Sequence, residues 1–419
     1  MPLADPGTGP LDAATQAAVT ALACQHARTF PWYAALLEER SVPQTAPMRA
    51  LPVIGEHLLN VHYYSEEHVG LPDASGYLTS GTTGGRRKRI LYSTQDHEEY
   101  IAHRRVLFEH FLVDIPKGSI AVADLGTGHA AASAHRIFEE LGFTAYDIDF
   151  RLPIATHVER LNAWQPDVVF TMPMILDRLC DGMQPLLVRP QKVIVVGDVA
   201  PANWRRQIAD RFGIQFEDVL DVVGSIEVGA IAYYSADTGL YHFHDHILPE
   251  VRTPRELYAD CDLDLDGSGP GDGILLLTSF CRRYFPALRF ATNDVIRGLR
   301  RITWCGRDVY AFDRVEGRFG GEVKHGERIS HHDICEAVNQ VLPGALFDVR
   351  NDGRLEVRVV ADELTDSQII GLQGALRAAS GDVAQMIKSG LVGDIVVSRI
   401  PQGELLAAGA KRSFTVKGA

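Results

Sequence analysis

The sequence has no excess of basic residues and no long apolar run. It contains 41 Lys and Arg residues against 54 Asp and Glu residues, which gives a formal net charge of -13 over 419 residues. Because nucleic acids and anionic membranes attract basic surfaces, this balance argues against a general binder of either. No stretch approaches the roughly 20 consecutive apolar residues of a membrane-spanning helix. The start, MPLADPGTGPLDAATQ, lacks a basic segment followed by an apolar one, so we expect no signal peptide.

Cysteine and lysine are both scarce. The six cysteines are scattered, without the closely spaced pairs of a zinc knuckle. We therefore expect reduced thiols and a cytoplasmic protein. If the chemistry requires a lysine, the candidates are Lys88, Lys117, Lys192, Lys324, Lys388, Lys411 and Lys417.

Short apolar runs alternate with helical patterns along most of the chain. The runs SIAVADLG, PDVVFTM and QKVIVVGD are β-branched and bounded by Gly or Pro, which predicts buried strands. ATHVERLNAW and ANWRRQIADRF have helical spacing, as do the segments of the first forty residues. Strands that alternate with helices predict an α/β layered domain with a largely parallel sheet.

The composition changes in EGRFGGEVKHGE, which is rich in glycine and charge. Beyond it, HHDICEAVNQVL and SQIIGLQGALRAA predict helices, and DIVVSRI predicts a strand. LFDVR and RLEVRVVAD predict a hairpin around the turn Asn351-Asp352-Gly353. We predict a large N-terminal α/β domain over residues 1–317 and a small mobile α+β lid over residues 318–419.

The strongest functional signal is an unbroken run of small residues with hydroxyl groups. Ser80, Gly81, Thr82, Thr83 and Gly84 form the sequence SGTTG, which basic residues follow. Backbone N–H groups and hydroxyls in such a loop donate hydrogen bonds to phosphate oxygens, and the basic residues offset phosphate charge. A flexible surface loop is the alternative, but so regular a run is uncommon by chance. We favour a phosphate-binding loop.

This loop resembles the signature loop of the ANL superfamily of adenylate-forming enzymes, and the whole chain resembles its phenylacetate-CoA ligase branch. RTFPWYAALLEERSV is similar to the helical lead-in of that branch, and LPVI precedes the loop. DTGLYHFHDHILPEV matches the GLH…DH…PE pattern of the branch, which most ANL enzymes lack. The resemblance implies the ANL fold, ATP as a substrate and Mg²⁺ as a cofactor.

The resemblance also implies an adenine-side turn and a magnesium ligand. Gly197 and Asp198, in GDVAP, correspond to the turn beside adenine. Gly224, Ser225 and Glu227 fall on the family pattern Tyr-Gly-x-Thr/Ser-Glu, whose glutamate helps to hold Mg²⁺. Glu227 is therefore the expected catalytic and metal-binding residue, with an ordinary solvated strand end as the alternative.

Two positions beside this motif depart from the family. Val223 stands where the family has the aromatic residue that packs on adenine, and Ile226 replaces the hydroxyl residue before the glutamate. These departures fit a specialised enzyme.

FPALRFATNDVIRG is similar to the family segment that binds ribose. Asp294 falls on the aspartate that accepts hydrogen bonds from both ribose hydroxyls, a role that suits a carboxylate. Asn293 stands where the family has glycine. Gly317 and Arg318 match a Gly-Arg pair whose arginine contacts ribose or phosphate, although a surface ion pair is the alternative for Arg318. Gly320 stands where the family often has a hinge Asp or Lys, and glycine can absorb the same backbone rotation.

The C-terminal lysine of the family has no exact counterpart. That lysine stabilises charge during adenylation. Lys411 lies two residues beyond the matching position, which is Gly409. We expect Lys411 to take the catalytic role, with a solvated tail lysine as the alternative.

Histidines suggest two further features. His129 falls roughly where relatives carry a residue that gates the acid pocket, so it is the candidate substrate residue, although a histidine in a Gly/Ala loop is often structural. The alternating histidines of HFHDH (residues 242–246) could form a metal-binding pair. Because the segment as a whole matches the branch pattern, we favour a structural role there.

Together these observations predict an adenylate-forming ligase. It would activate a carboxylic acid, aryl or arylacetic by resemblance, as an acyl adenylate with release of pyrophosphate, and then transfer the acyl group to coenzyme A. Two alternatives stay open: a CoA-independent enzyme of secondary metabolism that forms amides or transfers AMP, and a non-catalytic nucleotide-binding subunit. A third, an unrelated α/β nucleotide-binding enzyme, is disfavoured by the end-to-end resemblance. Relatives in the branch are commonly dimers, so a homodimer without nucleic-acid or membrane partners is expected.

Overall fold

The structure is a computed structural model of the 419-residue chain. It describes residues 11–64, 71–78, 88–125, 129–149, 151–181, 185–258, 269–319, 323–325, 327–351, 354–390, 392–401, 404–405 and 414–416. No helix among these residues is long and apolar enough to cross a membrane.

The described residues form helices and strands throughout the chain. The helices are α1 (Ala13–Thr29), α2 (Pro31–Glu39), α3 (Glu56–His62), α4 (Thr94–Phe111), α5 (His129–Glu140), α6 (Ile154–Trp164), α7 (Pro173–Asp181), α8 (Ala202–Phe212), α9 (Pro254–Leu257), α10 (His331–Val341), α11 (Asp366–Ala379) and α12 (Gly381–Lys388). The strands are β1 (Ser75–Leu78), β2 (Arg89–Tyr92), β3 (Ile120–Asp124), β4 (Thr144–Asp147), β5 (Val168–Thr171), β6 (Lys192–Val196), β7 (Val219–Ser225), β8 (Gly229–Ser235), β9 (Leu240–Phe243), β10 (Ile247–Arg252), β11 (Gly273–Ser279), β12 (Phe290–Arg297), β13 (Arg300–Trp304), β14 (Arg307–Phe312), β15 (Arg314–Arg318), β16 (Val323–His325), β17 (Glu327–Ile329), β18 (Phe347–Asn351), β19 (Leu355–Val360), β20 (Val396–Ile400) and β21 (Phe414–Val416).

The chain divides into two compact units, each built from two segments. The first unit comprises residues 1–110 and 223–314, and the second comprises residues 111–222 and 315–419. The last boundary between these units, between residues 314 and 315, lies close to the boundary predicted between residues 317 and 318. The division into domains 1–317 and 318–419 stays a prediction.

The first unit is built from helices and antiparallel strands. Helix α1 begins after Asp12, whose side chain accepts hydrogen bonds from the backbone N–H groups of Ala14 and Thr15, each at 3.0 Å. This arrangement satisfies donors that the first turn of a helix leaves free. Strands β10, β11 and β12 pair antiparallel, as do β8 with β9, β9 with β14, and β14 with β13. The predicted amino-terminal helices are confirmed as α1 and α2.

The second unit contains the predicted parallel sheet. Its strands β7, β6, β5, β3 and β4 are neighbours in that order, and every pair is parallel. The buried strand residues pack with residues of α6, α7 and α8 in one apolar core that includes Trp204. Such continuous apolar strands are expected where helices cover a parallel sheet. The predicted strands of this region and the helices now seen as α6 and α8 are confirmed.

The remaining part of the second unit has the predicted α+β pattern. Strands β18 and β19 form the predicted antiparallel hairpin, with Asn351 opposite Leu355. Strand β20 pairs parallel with β19, and β21 pairs parallel with β18. Helices α10 and α11 contribute buried residues to the same apolar core as these strands. Helix α11 begins with a capping box in which Thr365 and Gln368 satisfy each other's backbone N–H groups.

Candidate functional site

The predicted site residues fall into both units and into regions outside the described residues. The first unit contains Gly224, Ser225, Glu227 and Asp294, and the second contains Gly197, Asp198 and Arg318. Ser80, Gly81, Thr82, Thr83, Gly84 and Lys411 lie outside the described residues. His129 begins helix α5, and only its backbone is described.

The end of strand β7 brings three of these residues into one tight turn. The Ser225 hydroxyl accepts a hydrogen bond from the backbone N–H of Val228 at 3.1 Å, which closes the turn that Glu227 occupies. A side chain at Gly224 would place its Cβ 3.0 Å from the carbonyl oxygen of Gly229 and 2.9 Å from the Arg104 guanidinium. Glycine is therefore required at position 224 by close approach of the backbone.

Two buried side chains hold the backbone around Glu227 through hydrogen bonds. The Arg282 Nε–H donates to the Glu227 carbonyl at 2.8 Å, and the Tyr92 hydroxyl donates to the Ile226 carbonyl at 2.8 Å. Within the described part of the chain, the half-buried Glu227 carboxylate has no hydrogen-bond or ion-pair partner. A carboxylate presented in this way fits the oxygen ligand that Mg²⁺ prefers.

Arg282 belongs to a buried network that joins distant segments. Its guanidinium lies 2.8 Å from the Asp96 carboxylate, and the two side chains are 3% and 0% exposed. The guanidinium also lies 3.8 Å from the centre of the Tyr92 ring. Asp96 accepts backbone hydrogen bonds from Arg283 at 2.7 Å and Tyr284 at 3.2 Å. Because each polar group has a partner, this network can be buried without a large desolvation cost.

Asp96 and Arg282 were not predicted as site residues from the sequence. A signal was present for Asp96, since Ser93 and Asp96 form a reciprocal capping pattern at the start of α4. The Asp96 N–H donates to the Ser93 hydroxyl at 3.0 Å, and the Ser93 N–H donates to the Asp96 carboxylate at 2.9 Å. This is the Ser-x-x-acid pattern of a helix start.

Arg104 supplies a second buried cation in the first unit. It lies on α4, is 3% exposed and approaches Gly224. Its guanidinium carbon is 5.1 Å from the centre of the Tyr100 ring. Burial lowers the pKa of nearby His244 to about 3, and the positive charges of Arg104 and His103 act in the same direction. Arg104 therefore places a buried positive charge beside Gly224, and a buried cation favours an anionic partner.

Asp294 lies on β12 next to a residue with an unusual backbone conformation. Asn293 has a φ of 63°, in the left-handed region that glycine and asparagine adopt most readily. The Tyr258 hydroxyl donates to the Asn293 side-chain carbonyl at 2.5 Å. The Asp294 N–H donates to the Thr292 hydroxyl at 3.0 Å, where the register of β11 and β12 shifts. Asparagine can therefore replace the glycine of the family pattern without losing this conformation.

In the second unit, Gly197 and Asp198 follow directly after strand β6. Gly197 has a φ of 90°, which favours glycine, and the Asp198 carboxylate accepts from the Val199 N–H at 2.8 Å. Strands β3, β5 and β6 are parallel, so their carboxyl ends meet at one edge of the sheet. Ligands of open α/β sheets bind at this edge. The start of α5 at His129 follows β3 and so belongs to the same edge.

Arg318 ends strand β15 and is exposed. The preceding Gly317 has a φ of 139°, and a Cβ at this position would lie 3.4 Å from the His331 side chain. Glycine at position 317 lets the backbone approach helix α10. The positive φ and this close approach explain why position 317 is glycine, whether or not Arg318 binds nucleotide.

Comparison with known proteins gives a sequence family and a full-length relative. A family described as the fumarate–diaminopropanoate ligase C-terminal domain matches residues 324–401. The fumarate–(S)-2,3-diaminopropanoate ligase of Enterobacter agglomerans is 43% identical over 387 residues, which cover 92% of this chain and 96% of that protein.

Solved structures of adenylate-forming ligases have the same fold. A 2-hydroxyisobutyryl-CoA ligase in the postadenylation state with 2-HIB-AMP gives a TM-score of 0.73 at 16% identity, over 97% of this chain and 89% of that one. A mutant of the amide bond synthetase McbA from Marinactinospora thermotolerans gives a TM-score of 0.51 at 12% identity, over 81% and 66% of the two chains. The predicted fold class, a large N-terminal α/β domain with a small C-terminal α+β domain, is confirmed.

Proposed function

We propose a reaction for this chain, which belongs to the fumarate–(S)-2,3-diaminopropanoate ligase family and is an adenylate-forming ligase. The reaction joins a small dicarboxylic acid of the fumarate type to an amino group of a diamino acid such as (S)-2,3-diaminopropanoate. The relative that is 43% identical over nearly the whole chain carries this proposal. It favours the amide-forming alternative over aryl-CoA synthesis.

The chemistry proceeds in two steps. A carboxylate oxygen of the acid attacks the α-phosphorus of ATP, and the bond to pyrophosphate breaks. The amine nitrogen then attacks the acyl carbon of the mixed anhydride, AMP leaves with the bonding electrons, and the nitrogen loses a proton. AMP is a good leaving group, so the anhydride activates the acyl carbon toward an amine as well as toward a thiol.

The buried cation Arg104 supports a diacid as the substrate. A fumarate ion keeps a second carboxylate after the first is adenylated, and that carboxylate needs a partner away from water. Arg104 is 3% exposed and lies against Gly224, in the turn that also contains Glu227. A planar guanidinium can bind a carboxylate through two parallel hydrogen bonds. We assign Arg104 to the second carboxylate, a role that aryl acids would not require.

The nucleotide side of the site is assigned by family resemblance and by the local geometry. Glu227 is the proposed ligand of Mg²⁺, which offsets phosphate charge when it is bound. Ser80, Gly81, Thr82, Thr83 and Gly84 are assigned to the phosphates and Lys411 to the charge that develops during adenylation. Gly197, Asp198, Gly224 and Ser225 are assigned to the adenine side, Asp294 to ribose and Arg318 to ribose or phosphate. His129 remains the candidate at the acid pocket.

Isotope exchange between pyrophosphate and ATP tests the first step. We expect exchange with fumarate and much slower exchange with phenylacetate and benzoate. Addition of 2,3-diaminopropanoate should then give an amide and AMP in equal amounts, detected by mass spectrometry. Exchange with an aryl acid only would contradict this proposal and indicate an acid–CoA ligase. Formation of a thioester with CoA in place of an amide would indicate the same.

A further inference from the structure

Three potential metal ligands converge in the first unit, and none of them is a residue assigned to ATP or to the acid. His103 lies on α4, His246 lies in the connection between β9 and β10, and Cys281 follows β11. Their ligand atoms all lie within 4.8 Å of one another. The His103 Nε2 is 3.2 Å from the Cys281 Sγ, and the rings of His103 and His246 are stacked with centroids 3.9 Å apart.

The donor set and its spacing suit zinc. Zinc bonds of about 2.1 Å to nitrogen and 2.3 Å to sulfur, in tetrahedral geometry, place ligand atoms about 3.4–3.7 Å apart. The observed separations are close to this spacing, and one of the stacked imidazoles must rotate so that its in-plane nitrogen faces the ion. Nitrogen and thiolate ligands favour zinc over magnesium or calcium, which prefer oxygen. We propose that His103, His246 and Cys281 bind one Zn²⁺ ion.

A buried nitrogen in this cluster supports the proposal independently of the distances. His246 is 8% exposed, and its Nδ1 is buried with no hydrogen-bond partner among the described residues. A buried polar atom without a partner is costly, and an ion coordinated at Nδ1 would remove that cost.

Glu99 is the candidate for the fourth ligand. It lies one helical turn before His103 on α4, so both side chains project from the same face. The Glu99 carboxylate lies near enough to the Cys281 thiol to act on it electrostatically. A metal ion that displaces the thiol proton would bind sulfur and leave this carboxylate beside it.

The site would fix Arg104 and Arg282 relative to each other. His103 directly precedes Arg104, and Cys281 directly precedes Arg282, whose guanidinium holds the Glu227 carbonyl. An ion that joins α4 to the residue after β11 would therefore set the separation of both guanidinium groups. The role is structural, and it does not depend on which acid the enzyme activates.

Metal titration of the full-length protein tests this inference. Protein stripped with a chelator should bind one equivalent of Zn²⁺ in competition with a chromophoric chelator, and its melting temperature should rise with Zn²⁺. With Co²⁺ in place of Zn²⁺, a thiolate-to-cobalt charge-transfer band should appear. C281S should lose that band and bind Zn²⁺ at least about tenfold more weakly, because loss of a supporting residue alone costs that much.

A matched variant tests whether zinc binding depends on the Cys281 thiol specifically. Cys305 is exposed in the turn after β13, so C305S should keep the band and the affinity. Circular dichroism of each variant checks that it is folded. Absence of stoichiometric binding by the stripped wild-type protein would overturn the proposal, as would unchanged binding by C281S.

Discussion

The two units hold their candidate residues in different ways. In the first unit, the turn at Glu227 rests on a buried network whose members are far apart in the chain, such as Asp96 and Arg283, separated by 187 positions. In the second unit, Gly197 and Asp198 follow a strand of a parallel sheet, and local backbone conformation positions them. We infer that single substitutions in the first network have large, global effects, whereas those at the strand ends of the second unit have small, local ones.

The largest effect is expected at Arg282. R282M leaves the buried Asp96 carboxylate without its cation, and removing one member of a buried ion pair costs about 3–5 kcal/mol in the free energy of unfolding. Urea unfolding of the full-length enzyme measures this loss. R300M is the matched control, because Arg300 and Asp313 form an exposed pair. Its cost should stay below about 1 kcal/mol. Equal costs for the two variants would contradict the view that the buried network supports the first unit.

A second prediction uses acid to probe burial in the first unit. Burial lowers the pKa of His26 to about 4, against an ordinary value of 6.5. Below pH 6.5 the unfolded chain takes up a proton that the folded chain does not, so the free energy of unfolding falls as the pH decreases toward 4. This residue alone accounts for about 2 kcal/mol of that loss at pH 5.

H26L removes this contribution. Between pH 7.5 and pH 5 the variant should lose about 2 kcal/mol less stability than the wild-type protein, as measured by urea unfolding. Replacement of exposed His110 by Gln on α4 is the control and should keep the wild-type pH profile. If H26L also followed the wild-type profile, acid sensitivity would have to arise elsewhere.

The smallest effects are expected in the second unit. G197A places a side chain at a φ of 90°, which costs about 1–2 kcal/mol. G374A changes a glycine inside helix α11 that has no atom within 4 Å of an added Cβ, so it should stabilise the protein by about 0.5–1 kcal/mol. Thermal unfolding distinguishes these opposite signs. If G197A lowered the free energy of unfolding as much as R282M, the proposed difference between the two units in their sensitivity to substitution would be wrong.

The sequence predicted the elements whose pattern is local. The apolar runs at β5 and β6 and the segment ANWRRQIADRF, which is helix α8, needed only local spacing to be identified. Helix α4 was not identified, because its buried face carries Asp96 and Arg104 among apolar residues. Arg282, the ion-pair partner of Asp96, lies much later in the chain, so a single sequence gives no indication of this pairing.

The candidate site, like the fold, was predicted from the sequence only in part. Resemblance located Glu227 and Asp294 along the chain, but it did not reveal the supporting Arg282 or the buried Arg104. Asn293 looked like a departure from the family pattern. Its φ of 63° accounts for the substitution, since asparagine tolerates the left-handed conformation that glycine adopts. The proposed zinc ligands His103 and Cys281 are 178 positions apart, too far for any spacing rule to connect them.

The most direct test of the proposed diacid site compares fumarate with crotonate, in which a methyl group replaces one carboxylate. In acid-dependent pyrophosphate exchange, the wild-type enzyme should prefer fumarate in kcat/KM by at least about 100-fold, the value of a buried charged hydrogen-bonded pair. R104M should lower kcat/KM for fumarate by a similar factor and leave that for crotonate nearly unchanged. An R104M enzyme that still preferred fumarate as strongly as the wild type would contradict the assignment of Arg104 to the second carboxylate.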